Sequence, residues 1–267
     1  MKRFASFVLS TIMIWSCSAF LTVPAHGLVD GGVRVAVIDT GISTAAIHGR
    51  NLDEGRNYIL PNASTEDITG HGTAVAAIIV GSEAAGVSGL CPDATLVPLV
   101  YYSKTEENQT VKGDLAMLAQ IIRDAVDVYR CRIINISSGA DADTSTLRDA
   151  IAWAEQRGAL VVSCAGNDGN GTPYFPGAFP TVLCVGTANA EEDGPAFFSN
   201  RHSGVDLLAP GARLPTANAK GESVIASGTS FSAAWITGAA AALLTADPEL
   251  TPYQLRQLLC STARDVC

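Results

Sequence analysis

Short runs of apolar, largely β-branched residues recur along this chain. Longer segments with apolar positions at helical spacing separate them. The strand-like runs span 33–38, 95–100, 132–136, 160–163 and 182–185. The helix-like segments span 73–80, 113–129, 146–157, 231–244 and 252–259. A strand that is apolar at consecutive positions is buried on both faces, and strands that alternate with helices build a parallel sheet covered on both sides. The pattern predicts an α/β fold of three layers, with a mostly parallel central sheet and helices on both faces. No linker interrupts it, so one domain is expected. Sites in such sheets lie beyond the C-terminal ends of the strands.

Four polar features occupy that kind of position. Asp39 ends the first strand-like run and precedes Thr40-Gly41. It reads either as a turn or cap residue, or as a buried acid that orients a neighbour. His71 opens a helix-like segment with a glycine on each side. Asn167 follows the run 160–163 within Gly166-Asn167-Asp168-Gly169. It suits a left-handed turn, or an amide that donates to an oxyanion. Ser230 stands at the start of an apolar helix, where it is either a helix cap or a nucleophile in the positive field of the helix end.

Composition narrows the function classes. The chain has 267 residues, 48% of them hydrophobic and 16% charged, with a net charge of −9. That acidity argues against nucleic acid or an anionic membrane surface as a partner. Lys2 and Arg3 followed by an apolar stretch to Val23-Pro24-Ala25 read as a signal peptide over 1–25. The mature domain is then 26–267, exported, with no stable membrane insertion once the leader is removed. Six cysteines outside the leader allow disulfides in an oxidising compartment. Sequence alone does not choose among their 15 pairings: Cys260 and Cys267 are close enough to staple the C-terminus, Cys91 and Cys131 could meet if the strands after them are neighbours, and Cys164 and Cys184 suit a bridge or buried thiols equally.

Taken together, these residues resemble the subtilase family of serine proteases. Four blocks carry the likeness: Val37-Ile38-Asp39-Thr40-Gly41, Gly70-His71-Gly72-Thr73, Ala165-Gly166-Asn167-Asp168-Gly169 and Gly228-Thr229-Ser230-Phe231-Ser232. Their Asp, His, Ser order is that of subtilisin. The resemblance implies a subtilisin-like three-layer α/β fold and a secreted serine endopeptidase acting on polypeptides through an acyl-enzyme. In it Ser230 is the nucleophile, His71 the general base and acid, Asp39 the orienting carboxylate and Asn167 an oxyanion donor. It further implies that Ser137-Ser138-Gly139 pairs with an extended peptide. Ser163, Cys164, Ala165 and Gly166 would wall the pocket for the residue before the scissile bond. No cofactor is needed for this chemistry, and no residues can be assigned to a structural calcium or other metal.

The chain also departs from the family pattern. Too few residues separate Ala25 from Asp39 to hold the family's pro-segment, so no pro-domain is evident. The chain is therefore expected to fold unaided or with a chaperone or inhibitor acting in trans. Tyr174 falls where relatives have a small residue at the floor of the specificity pocket, predicting a shallow pocket. The polar segment 102–112 lacks the glycines that the family uses for its second substrate edge. A catalytically silent, peptide-binding relative is the alternative, and the intact set Asp39, His71, Asn167 and Ser230 speaks against it.

Overall fold

The residues that the computed structural model describes are 2–4, 32–104, 109–191 and 193–266. In chain order the strands are β1 (Lys2–Phe4), β2 (Arg34–Asp39), β3 (Arg56–Asn57), β4 (Thr95–Val100), β5 (Tyr102–Lys104), β6 (Thr110–Lys112) and β7 (Ile133–Ile136). There follow β8 (Leu160–Cys164), β9 (Leu183–Thr187), β10 (Leu207–Ala209), β11 (Leu214–Ala217), β12 (Ser223–Ala226) and β13 (Arg264–Val266). The helices are α1 (His71–Val80), α2 (Leu115–Asp127), α3 (Ser145–Gln156), α4 (Thr229–Ala246) and α5 (Pro252–Ser261).

Nine strands form one sheet in the order β13-β1-β10-β9-β8-β7-β2-β4-β3. Neighbours run parallel throughout except β13, which pairs antiparallel with β1. Its strands alternate between two cores, as a two-residue period requires. Val35 and Val37 of β2 pack with α1, α4 and α5, whereas Ala36 and Ile38 pack with α2 and α3. The three-layer α/β expectation is met. β1 comes from the stretch that the sequence assigns to the leader, and the remainder of 1–25 lies outside the described residues.

The helix starts fall into two kinds. Asp114 caps α2 by accepting from Met117 N, Thr144 caps α3 through Leu147 N, and Thr251 with Gln254 forms a capping box on α5. By contrast α1 and α4 begin at Gly70 and Gly228, with no side-chain cap on either. These two helices cross the same face of the sheet and bring their N-termini to the strand ends. Helix α4 is long and apolar enough to cross a membrane, yet 72% of that window is buried, as befits a core helix.

The cysteine expectations need correction. Cys91 packs on the α1 and α4 side of the sheet and Cys131 on the α2 and α3 side, so the sheet itself separates them. Both are buried free thiols, as is Cys164. Cys164 and Cys184 sit on adjacent strands but one step out of register, since Cys184 faces Ser163 and Cys164 faces Val185. A one-residue offset turns side chains to opposite faces. The candidate partner of Cys260, Cys267, lies outside the described residues.

Candidate active site

Asp39 ends β2 with only 2% of its surface exposed. Its Oδ1 accepts from Thr40 N at 2.8 Å and meets His71 Nδ1 at 2.7 Å. The turn after β2 and the start of α1 can close to this distance because residue 72 is glycine. A Cβ there would stand 2.2 Å from Gly41 O and 3.1 Å from Asp39 Cβ. His71 is half-buried, and its ring lies 5.5 Å from that of Phe231, the residue after Ser230. The Asp39 carboxylate raises the His71 pKa above its ordinary value, outweighing the opposite effect of burial, and Asp67 adds to the rise.

Asp67 carried no signal in the sequence reading, yet it organises this side of the site. It is buried, and its Oδ1 accepts from Thr40 Oγ1, Thr69 N, Thr69 Oγ1 and Gly70 N at 2.8–3.0 Å. Its Oδ2 accepts from Thr73 N at 2.9 Å and Thr73 Oγ1 at 2.7 Å. Burial alone would raise this carboxyl, but the bonds from Thr73, Gly70 and Thr69 prevail and hold it below its ordinary range. Thr40 completes the clamp, because its Oγ1 also accepts from Gly72 N at 2.9 Å. One carboxylate thus ties the residue after Asp39 to the helix that begins with His71. An acid four residues ahead of a histidine, across an x-x-Gly turn, was the available clue.

Ser230 lies in the first turn of α4, two residues past the Gly228 N-cap, so it is not the cap. It is mostly buried, and its hydroxyl donates to Ser137 O at 3.3 Å. A buried polar chain holds the backbone beneath it. Thr237 Oγ1 donates to Asn135 Oδ1 at 2.9 Å, Asn135 Nδ2 donates to Ser137 Oγ at 2.9 Å, and Ser137 Oγ donates to Ser230 O at 3.4 Å. On the opposite side, Thr187 and Ser232 hydroxyls meet at 2.9 Å. The Cys164 thiol stands beside Ser230 and Thr229, and its burial pushes its pKa up to about 11. It is therefore no rival nucleophile at neutral pH.

Asn167 is not a left-handed turn residue; that conformation falls to Gly166 (φ 105°) and Gly169 (φ 65°). Its Oδ1 accepts from Thr229 N at 2.9 Å and Thr229 Oγ1 at 3.0 Å. A backbone N–H can only donate, so the oxygen must face Thr229 and the Nδ2 donors must face away. Nδ2 is left exposed near Gly228. Fully buried Asn200, which the sequence patterns did not single out, fixes the loop. Its Oδ1 accepts from Asp168 N at 2.9 Å, its N donates to Gly166 O, and its Nδ2 donates to Thr172 O at 3.2 Å.

The binding-site candidates converge on the same rim. Ser137, Ser138 and Gly139 continue β7 toward Ala140, which pairs with Phe175. Ser163, Cys164, Ala165 and Gly166 are buried at the end of β8. Tyr174 lies between these two segments. A Cβ on Gly166 would stand 2.7 Å from its Cδ2, and one on Gly139 would stand 2.9 Å from its Cβ. The nearby Asp168 carboxylate raises its phenol pKa above the ordinary value.

Asp39, His71, Asn167 and Ser230 lie at strand and helix ends of the parallel sheet in a three-layer fold, the side-chain set that hydrolases of the serine-nucleophile class use. Comparison with known proteins makes the assignment specific. The family model described as "Subtilase family" matches residues 30–266. Subtilisin Savinase of Lederbergia lenta is 32% identical over 252 residues, covering 93% of this chain and 90% of that protein. The alkaline protease of Alkalihalobacillus alcalophilus is also 32% identical over 93% of this chain, which spans 64% of its length. The protease domain of PatA superposes with a TM-score of 0.77 at 29% identity, covering 89% of this chain and 94% of that one. The chain belongs to the subtilase family and is a serine endopeptidase.

Proposed function

We propose that this chain is exported by the leader at 1–25 and cleaves polypeptides through an acyl-enzyme formed on Ser230. The substrate lies extended along Ser137-Ser138-Gly139, bonded through its main chain, as strand addition requires. The Ser230 hydroxyl turns from the Ser137 carbonyl, loses its proton to His71 Nε2 and attacks the scissile carbonyl. Asp39 keeps the other nitrogen of His71 protonated and stabilises the imidazolium that forms. Asn167 Nδ2 and the Ser230 N–H donate to the oxyanion. His71 then protonates the leaving amine as the C–N bond breaks; water, giving its proton to His71, attacks the acyl-enzyme carbonyl, and the ester bond to Ser230 breaks as His71 returns the proton to Ser230 Oγ.

The observation that carries this reading is the pinning of Asn167. Its oxygen is committed to Thr229, one residue before the nucleophile, so its amide donors remain for negative charge that develops beside Ser230. Tyr174 supports a narrow specificity, since its ring occupies the space between Gly139 and Gly166 where a large side chain would enter. Small or medium apolar residues before the scissile bond are the expected preference. Hydrolysis of chromogenic peptides that differ only at that residue tests it: Ala or Val should exceed Phe or Tyr, and the opposite order would refute it. No metal or cofactor takes part in these steps, and polypeptide is the only partner they require.

A further inference from the structure

Strands β5 and β6 pair within the polar segment 102–112, which lacks the glycines of the family's second substrate edge. Tyr102 and Lys112 are paired across this hairpin, and Gly113 N donates to Tyr101 O at 3.0 Å at its base. The hairpin brings Lys112 against the proposed peptide-binding edge, where its Nζ donates to Gly139 O at 3.2 Å. The same ammonium lies 5.3 Å from the centroid of the Tyr102 ring and 5.9 Å from that of Tyr101. Tyr102 in turn sits beside Ser138, and its burial pushes the phenol up to about 12, so it stays neutral. Among the described residues no carboxylate lies within ion-pair distance of Lys112. Lys112 is exposed, yet the groups packed beside its ammonium weaken its hydration and draw its pKa below the ordinary lysine value. A cation held in place by a carbonyl and two aromatic faces, with no acid partner among the described residues, is a recognition element for an anion.

Its place along the substrate follows from register. Ser230 Oγ is 3.3 Å from Ser137 O, so Ser137 faces the residue before the scissile bond. Pairing advances residue by residue, so Gly139 faces the third residue before that bond. We propose that Lys112 selects an acidic side chain at one of the second to fourth substrate positions before the scissile bond, an inference that rests on the peptidase reading of Ser230.

The test uses fluorogenic peptides with Ala before the scissile bond and Glu, Gln or Lys placed in turn at those three positions. At one position the wild-type protein should favour Glu over Gln by about three- to ten-fold in kcat/KM, the scale of a partly exposed ion pair. That ratio should fall to about one in Lys112→Met, persist in Lys112→Arg, and shrink as salt is added. A Glu/Gln ratio near one at all three positions in wild type, or one retained in Lys112→Met, overturns the inference while hydrolysis of the Gln peptides leaves the peptidase reading standing. Absence of all hydrolysis together with absence of Ser230-dependent fluorophosphonate labelling overturns both.

Discussion

The two helices that meet at the site have first turns furnished in opposite ways. At α1 a buried carboxylate, Asp67, accepts the N–H groups of Thr69, Gly70 and Thr73, and Thr40 takes that of Gly72. At α4 the bonds are neutral: an amide oxygen from Asn167 receives Thr229 N, and hydroxyls and amides of Ser137, Asn135 and Thr237 support the chain below. The positive end of α1 is thus met by fixed negative charge, next to His71, the proposed general base. The positive end of α4 has no acidic residue in its first turn and remains open to charge that appears during the reaction. The proposed mechanism, with proton transfer on one side and anion stabilisation on the other, uses that asymmetry.

Four substitutions would break or sharpen the contrast, taken here from the largest effect downward. His71→Ala removes the proposed base, and kcat should fall by about six orders of magnitude, the scale of triad loss in subtilisin. Asn167→Leu leaves the proton-handling side intact and deprives the other of its donor. A loss of about 10²–10³ in kcat with little change in KM is expected from steady-state kinetics. Asp67→Asn removes charge from the α1 side without removing a group that touches substrate. It should lower kcat/KM by up to about 10²-fold through misplacement of His71 and cost about 1–3 kcal/mol in chemical unfolding.

The pH profile of that variant separates placement from charge. His71 has a raised pKa in the folded protein, and only its neutral form accepts the Ser230 proton. The acid limb of kcat/KM in the native protein should therefore lie above the ordinary histidine value of 6.5, with activity gained as pH rises through it. Without the Asp67 charge the limb should move toward lower pH, yet remain above the ordinary value because Asp39 is the larger cause. The linked stability has the opposite sense: the Asp39–His71 pairing is fully present below the unfolded histidine pKa and is lost as pH rises through the folded one. Smallest of all, Tyr174→Gly should leave the chemistry in place and raise kcat/KM for peptides with Phe before the scissile bond by about ten-fold or more.

Much of this was legible in the residues, and the remainder failed for identifiable reasons. Sheet, helices and the positions of Asp39, His71, Asn167 and Ser230 follow from apolar periodicity and from polar residues at element ends. Asp67 escaped because its six bonds depend on a loop folding back onto α1, a closure that no periodicity encodes. Asn200 looked like connecting sequence, since its partners in the Asn167 loop stand some 30 positions away. The cysteines misled for a different reason. Their pairing required the strands after Cys91 and Cys131 to be neighbours, but β2 lies between β4 and β7 and the two thiols pack on opposite sides of the sheet. The β5 and β6 hairpin was read only as polar sequence because three-residue strands are too short to display alternation.

The most direct measurement of the central claim is covalent labelling by a fluorophosphonate, read by mass spectrometry on the folded protein beside Ser230→Ala. The account predicts one label, located on Ser230, formed faster as pH rises through the His71 acid limb and absent from the variant. Folded protein that takes no label, or labels equally without Ser230, would contradict it.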